Sequence, residues 1–179
     1  MWQDILTGLL DYQYRGFELN KHYETLTNEL EEACGRNGTL DYIFDFNYHV
    51  TRVLEMKSEM GIRLTDAYKA NDKDLLTKIA KEELPELFNR VLVLRKVHRK
   101  YWMMLYKPLG WDIVDMRYGG LITRITSAIE TIEEYLHGYI EKIEELEVER
   151  LPFGGVEGPL KWLNDYHKIA SPSRIAAEA

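Results

Sequence analysis

The chain has 179 residues, 45% hydrophobic and 30% charged, which fits one globular domain around one core and leaves two full domains cramped. A formal charge of -7 and an isoelectric point near 5.3 exclude a general nucleic-acid binder and argue against acidic or phosphorylated partners, because there is no basic excess to displace counterions from phosphates. The single cysteine, Cys34, excludes an internal disulfide and a cysteine-rich zinc site and suits a reducing, cytoplasmic setting; no run approaches the ~20 apolar residues of a membrane span, and no export signal opens the chain.

The first residues, MWQDILTGLLD, are too apolar for an exposed terminus and are expected to dock on something. From Phe17 to Ala33 the apolar positions Leu19, Tyr23, Leu26, Leu30 and Ala33 recur at three and four, and Gly35 and Gly38 end a first helix. Its neighbour Cys34 sits beside Glu31 and Glu32, where nothing stabilises a thiolate, so it reads as structural rather than nucleophilic. A second helical stretch runs from Leu40 to Ala70, as one long helix or as two sharing an axis, with Gly61 as its weak point.

Asn71 and Asp72 supply a turn and a cap for a third stretch that reaches Tyr106, and Pro85 predicts a kink or a restart inside it. The segment LGWDIVDMRYGGL, residues 109–121, does not read as a helix. Its aromatic, acidic and Gly-Gly content predicts a connecting insert, with Gly119-Gly120 turning the backbone into the next helix. Ile122, Ile125, Ile129, Ile132, Leu136, Ile140, Ile143 and Leu146 then mark an amphipathic helix of about seven turns, stopped before Pro152. The remaining residues, rich in Gly and Pro yet holding Phe153, Trp162, Leu163, Tyr166 and Ile169, predict an extended strap laid over the bundle. The expected fold is therefore all-α, a bundle of four to five long helices with an extended C-terminal strap.

A bundle raises the question of metal chemistry, because Glu134 and His137 have the Glu-x-x-His spacing of ferritin-like carboxylate sites. No second such pair is present, and Glu134 falls on the polar side of its helix, so no metal and no cofactor is expected. His22, His49, His98 and His167 have no evident Ser, Cys or Asp partner in the sequence and read as core-edge or capping side chains. With 4 tryptophans and 12 tyrosines, many near predicted loops, the chain could present an interface or a sugar-facing surface, although core packing accounts for most of them.

The run LYKPLGWDIVDMRYGGLITRITSAIETIEEYLHGYIEKIEELEVERLPF resembles the helical C-terminal domain of bacterial family 20 beta-N-acetylhexosaminidases, most specifically in its Asp-x-Arg-Tyr-Gly-Gly segment, Asp115 to Gly120. The opening WQDILTGLLDYQ is similar to the segment by which those enzymes leave their catalytic barrel, and WLNDYHKIASPSRI to their terminal strap. The resemblance implies a hydrolase of terminal N-acetylhexosamine residues in which the sugar's own acetamido group attacks the anomeric carbon. An adjacent Asp-Glu pair on the barrel orients that group and protonates the leaving oxygen. Glu82-Glu83, Glu133-Glu134 and Glu144-Glu145 are helical neighbours about 100 degrees apart, unlike that dyad.

The expected organisation is residues 1–15 as an exit segment from a barrel, 16–150 as the bundle and 151–179 as the strap. The chain itself is expected to be noncatalytic. Its expected partners are the catalytic barrel of the same polypeptide and a second subunit, with no nucleic acid and no membrane. Trp111, Asp115, Arg117, Tyr118, Gly119 and Gly120 are the candidate interface or sugar-rim residues. An independent helical interaction module is the alternative of a different class, and a ferritin-like metal-binding bundle is a more distant one.

Overall fold

The computed structural model describes residues 1–152 and 155, so all of the predicted strap but residues 151, 152 and 155, including its Trp162, Tyr166 and His167, lies outside the described residues. The fold is all-α, with no strand among the described residues. A short helix α1 (Asp11–Tyr14) follows the N-terminal turns, and α2 (Leu19–Ala33) forms where the first periodic stretch predicts it.

A 3-10 turn (Gly38–Leu40) leads into α3 (Asp41–Lys57), and α4 (Met60–Lys69) follows after a break. The second stretch is thus two helices, parted at Ser58-Glu59 rather than at Gly61. Asn20, at the start of α2, fastens the break: its Oδ1 lies 2.8 Å from Ser58 Oγ and accepts from the Glu59 amide at 3.3 Å, while its own amide donates to Glu59 Oε1 at 3.1 Å. Helix ends need such partners because their terminal amides and carbonyls have none within the helix.

The Asp72 carboxylate caps α5 (Lys73–Lys78) by accepting from the Leu75 amide at 2.9 Å. A π-helical turn (Ile79–Glu83) joins it without a break to α6 (Leu84–Leu105), with Pro85 in the first turn of α6, so that its missing N–H falls where the α-helical ladder is already interrupted. The interruption expected at Pro85 takes the form of this π-turn within a continuous helical run, not of a restarted helix. Tyr101 reaches Asp45, and Arg90 reaches both Glu55 and the Arg52 carbonyl, so α3 and α6 run antiparallel with matched registers.

The largest departure from expectation is the 109–121 segment. It is helical: α7 spans Trp111–Leu136 as one element. The turn into it is made by Gly110, at φ 91, rather than by Gly119-Gly120, which lie inside the helix. The cause is burial. Trp111, Tyr118, Leu121, Ile125, Ala128 and Ile132 are all buried, and with Val114 packed on the core they make a stripe at alternating spacings of three and four, enough to hold the glycines helical.

The other correction is at the far end, where α7 stops at Leu136 instead of continuing to Leu146. Gly138 takes φ 74; its amide donates to the Tyr135 carbonyl at 3.1 Å and the Tyr139 amide to Glu134 at 2.9 Å, the paired bonds of a Schellman stop. Leu146 reaches the core from a separate short helix, α8 (Glu144–Glu147), and Ile143 from the extended position just ahead of it.

Gly119 and Gly120 have ordinary helical φ and are exposed, and a Cβ on either would meet no heavy atom within 4 Å. Replacing either by alanine in this chain should therefore raise stability by ~0.5–1 kcal/mol, read from urea unfolding midpoints. A loss instead would mean that something in the chain packs against that bare backbone.

Candidate interaction site

The structure does not gather the six predicted site residues on one surface. Trp111 and Tyr118 are core residues, 6% and 1% exposed. Asp115 accepts from Arg95 Nε at 2.6 Å, an ion pair between α7 and α6 in which both side chains are about one-third exposed. Arg117 is half-buried and, two residues on, points to a different side of the helix. Gly119 and Gly120 are exposed one turn further.

What the segment does build is an aromatic cluster. The His98 ring from α6 sits 4.8 Å from Phe46, 5.3 Å from Trp111 and 5.9 Å from Tyr118, and Trp102 lies 5.8 Å from Trp111. The contacts of His98 with Trp111 and Tyr118 are edge-to-face, and such contacts add to plain area burial. His98 Nδ1 is 3.1 Å from the Tyr118 hydroxyl. Burial pushes the His98 imidazole below its ordinary pKa and the Tyr118 phenol well above its own, so both groups are neutral at pH 7 and the contact is a structural hydrogen bond. The sequence gives no sign of this pairing, because its partners are 20 residues apart on different helices.

Trp2 completes the cluster, its ring 5.1 Å from Tyr118. It belongs to the N-terminal segment, which is built into the bundle. Ile5 and Leu6 are in the core. Asp4 Oδ2 accepts from Arg124 Nε at 2.6 Å, and its Oδ1 accepts the Leu6 and Thr7 amides at 2.9 Å each. Burial alone would raise the Asp4 pKa, but the Arg124 guanidinium and the two amides outweigh it and hold the carboxyl below the ordinary range. Lys57 of α3 donates to the Gln3 carbonyl, Gln3 Nε2 donates to Asp11 Oδ1 at 2.6 Å, and Arg150 donates to the Leu6 carbonyl.

Two glycines make this close fit feasible. Gly8 has φ 52, and a Cβ there would fall 2.1 Å from Asp11 Oδ2; a Cβ on Gly61 would fall 3.0 Å from the Ile5 carbonyl. The weak point expected in a long helix at Gly61 is instead the place where the segment crosses α4. Asp11, Lys57 and Arg150 were invisible as a set in the sequence, since they join positions 11, 57 and 150; the apolar MWQDILTGLLD was the one available signal.

Among the described residues Asp11 is the only buried carboxylate, and Gly8, Gly61, Gln3 and Arg150 enclose it. Burial raises its pKa, against the pull of Gln3 and Arg150. Burial also brings the Lys57 ammonium down to about 8, partly offset by Asp4 and Asp11. Because the folded pKa of Lys57 lies below its unfolded value, the unfolded chain holds a proton that the folded chain has lost between pH 8 and about 10. Stability should therefore rise with pH across that window, by at most ~1.4 kcal/mol per unit, and Lys57→Met should flatten the slope. A slope that persists in the methionine variant would assign it to another group.

Glu134 is exposed, and His137 Nδ1 lies 2.7 Å from the Glu133 carbonyl; the described residues contain no group of three or more His, Cys, Asp and Glu arranged to hold a metal. Burial, followed by Asp45, Asp41 and Glu31, pushes the Cys34 thiol up, as befits a structural cysteine. No helix among the described residues is long and apolar enough to cross a membrane.

No curated protein matches the chain. Its family is nonetheless clear: residues 1–162, from the docked N-terminal segment through the whole helical bundle, match the model of the glycoside hydrolase 20C C-terminal domain, and the chain belongs to that family.

Proposed function

We propose that this chain is the noncatalytic C-terminal accessory domain of a cytoplasmic beta-N-acetylhexosaminidase, holding the catalytic barrel, or a dimer of it, in place. The family match supports the glycosidase context. The observation that carries the accessory role is the N-terminal segment, residues 1–15, which is fixed into the bundle by Leu6, Asp4–Arg124, Lys57 and Arg150 and so makes a rigid joint toward a preceding domain. A loose linker would leave neighbouring domains free to reorient. The enclosed Asp11 cannot meet a sugar, and Glu83 is taken up by a two-point pair with Arg63 at 2.8 and 2.9 Å, so neither serves as the acid that a substrate-assisted glycosidase needs.

The test is a chromogenic N-acetylglucosaminide offered to the purified chain and to the polypeptide that carries a barrel ahead of it. The longer protein should turn it over and the chain alone should not. Turnover by the chain alone would end the noncatalytic reading; an inactive longer protein, or a gene with no barrel upstream, would favour the independent interaction module.

A further inference from the structure

The end of the bundle at which α6 meets α7 carries large side chains that the other described residues leave exposed. Met104, Leu105, Tyr106 and Leu109 are 56%, 46%, 64% and 89% exposed. Leu40, at the start of α3, is 54% exposed and, by the antiparallel register that pairs Asp45 with Tyr101, lies level with the end of α6. A cluster of this size at one place is unusual on a free surface and typical of the centre of an interface. Directly beneath it, Trp102 donates from Nε1 to the Lys107 carbonyl at 3.0 Å and packs on Trp111, so the apolar end rests on a firm base rather than on a floppy loop.

Charge and chain direction say what belongs there. Between Glu86 and Asp112 the sequence has no acidic residue and six cations, Arg90, Arg95, Lys96, Arg99, Lys100 and Lys107, in a chain whose total is -7. Arg90 and Arg95 are spent on Glu55, Glu86 and Asp115, while the other four make no ion pair among the described residues. The N-terminal segment runs along α7 from Asp4, against Arg124, to Trp2, against Tyr118, and so climbs toward the helix start at Trp111. A domain joined ahead of the segment and continuing that course would approach this end.

We infer that the α6–α7 end, centred on Leu105, Tyr106 and Leu109 and rimmed by Lys107 and Arg99, is the docking face for the preceding catalytic domain of the same polypeptide, which meets it with an apolar patch edged by carboxylates. This rests on the accessory-domain reading above and moves the interface from the predicted residues to their neighbours. Trp111 and Tyr118 back the face from inside, and Asp115 braces it through Arg95. Arg99 and Lys107 suit a carboxylate edge even though the chain as a whole is negative and Asp41, Asp45 and Asp112 stand at the neighbouring helix starts.

The experiment is amide hydrogen exchange on the full polypeptide, wild type and carrying Lys107→Glu with Leu109→Glu. The inference expects residues 104–110 to be protected in the wild type at every protein concentration, and to exchange faster by an order of magnitude or more in the double variant, while amides near Val91 and Ile125 stay protected. Four results overturn it: free exchange at 104–110 in the wild type, equal protection there in this chain without the preceding domain, protection that vanishes on dilution because a second copy supplies it, or unchanged protection in the double variant. Should the variant lose protection at Val91 and Ile125 as well, cross-linking of wild-type Lys107 to carboxylates of the preceding domain decides, and absence of that link overturns the inference. Hexosaminidase activity of the same wild-type protein reports separately on the proposed function, so an active enzyme with an open face refutes only the docking site.

Discussion

Replacing Leu6 by alanine is expected to cost the chain ~2–5 kcal/mol of unfolding free energy, as much as a cavity in the middle of a helical core. Leu6 is 1% exposed and belongs to the main hydrophobic cluster. Its neighbours Asp4, Gly8 and Asp11 are all committed to bonds or close approaches that fix its position, so the site cannot easily collapse around the smaller side chain. Leu9→Ala is the matched control: at 59% exposure it should change stability by no more than ~0.5 kcal/mol. Urea unfolding of the two variants checks the contrast. Equal, small effects would mean that the N-terminal segment is an appendage, and the rigid joint would go with it.

Tyr118→Ala should be of comparable size, ~3–5 kcal/mol, since it removes a ring that Trp2, His98 and Trp111 all pack against. Tyr118→Phe keeps the ring and loses only the contact with His98 Nδ1, so it should cost ~1 kcal/mol. Thermal or urea unfolding distinguishes the pair. If the phenylalanine variant were as damaged as the alanine one, the hydroxyl and not the ring would be holding α6 to α7.

The fold was largely legible in the sequence, because α2, α3 and α6 announce themselves by apolar spacing and by the punctuation of Gly35, Asp72 and Pro85. The insert was misread because glycine pairs and aromatics are poor helix formers by local propensity, and tertiary burial overrode that propensity. The correcting signal was present: Trp111, Val114, Tyr118, Leu121 and Ile125 continue the three-four alternation backwards from the recognised helix. At its other end the same alternation misled, since Ile140, Ile143 and Leu146 keep the spacing across a helix stop at Gly138 that only backbone conformation reveals.

The site was less legible than the fold. Six residues chosen for being adjacent in sequence are spread by helical geometry over different sides of α7. The contacts that anchor the N-terminal segment join residues more than 50 positions apart, Lys57 to Gln3, Arg124 to Asp4 and Arg150 to Leu6, and no local pattern encodes such pairs. Charge misled through averaging, because a net value taken over the whole chain hides the acid-free stretch from Leu87 to Trp111.

The most direct measurement of the proposed accessory role is to remove this domain from the proposed full-length hexosaminidase, ending the polypeptide just ahead of Met1, and to follow both thermal inactivation and kcat. The account predicts a shorter inactivation half-life and a lower yield of folded enzyme, with kcat of the surviving folded fraction close to that of the intact protein. A truncated enzyme as long-lived as the intact one would contradict a stabilising role, and a truncated enzyme that stays folded but loses its kcat would contradict the noncatalytic one.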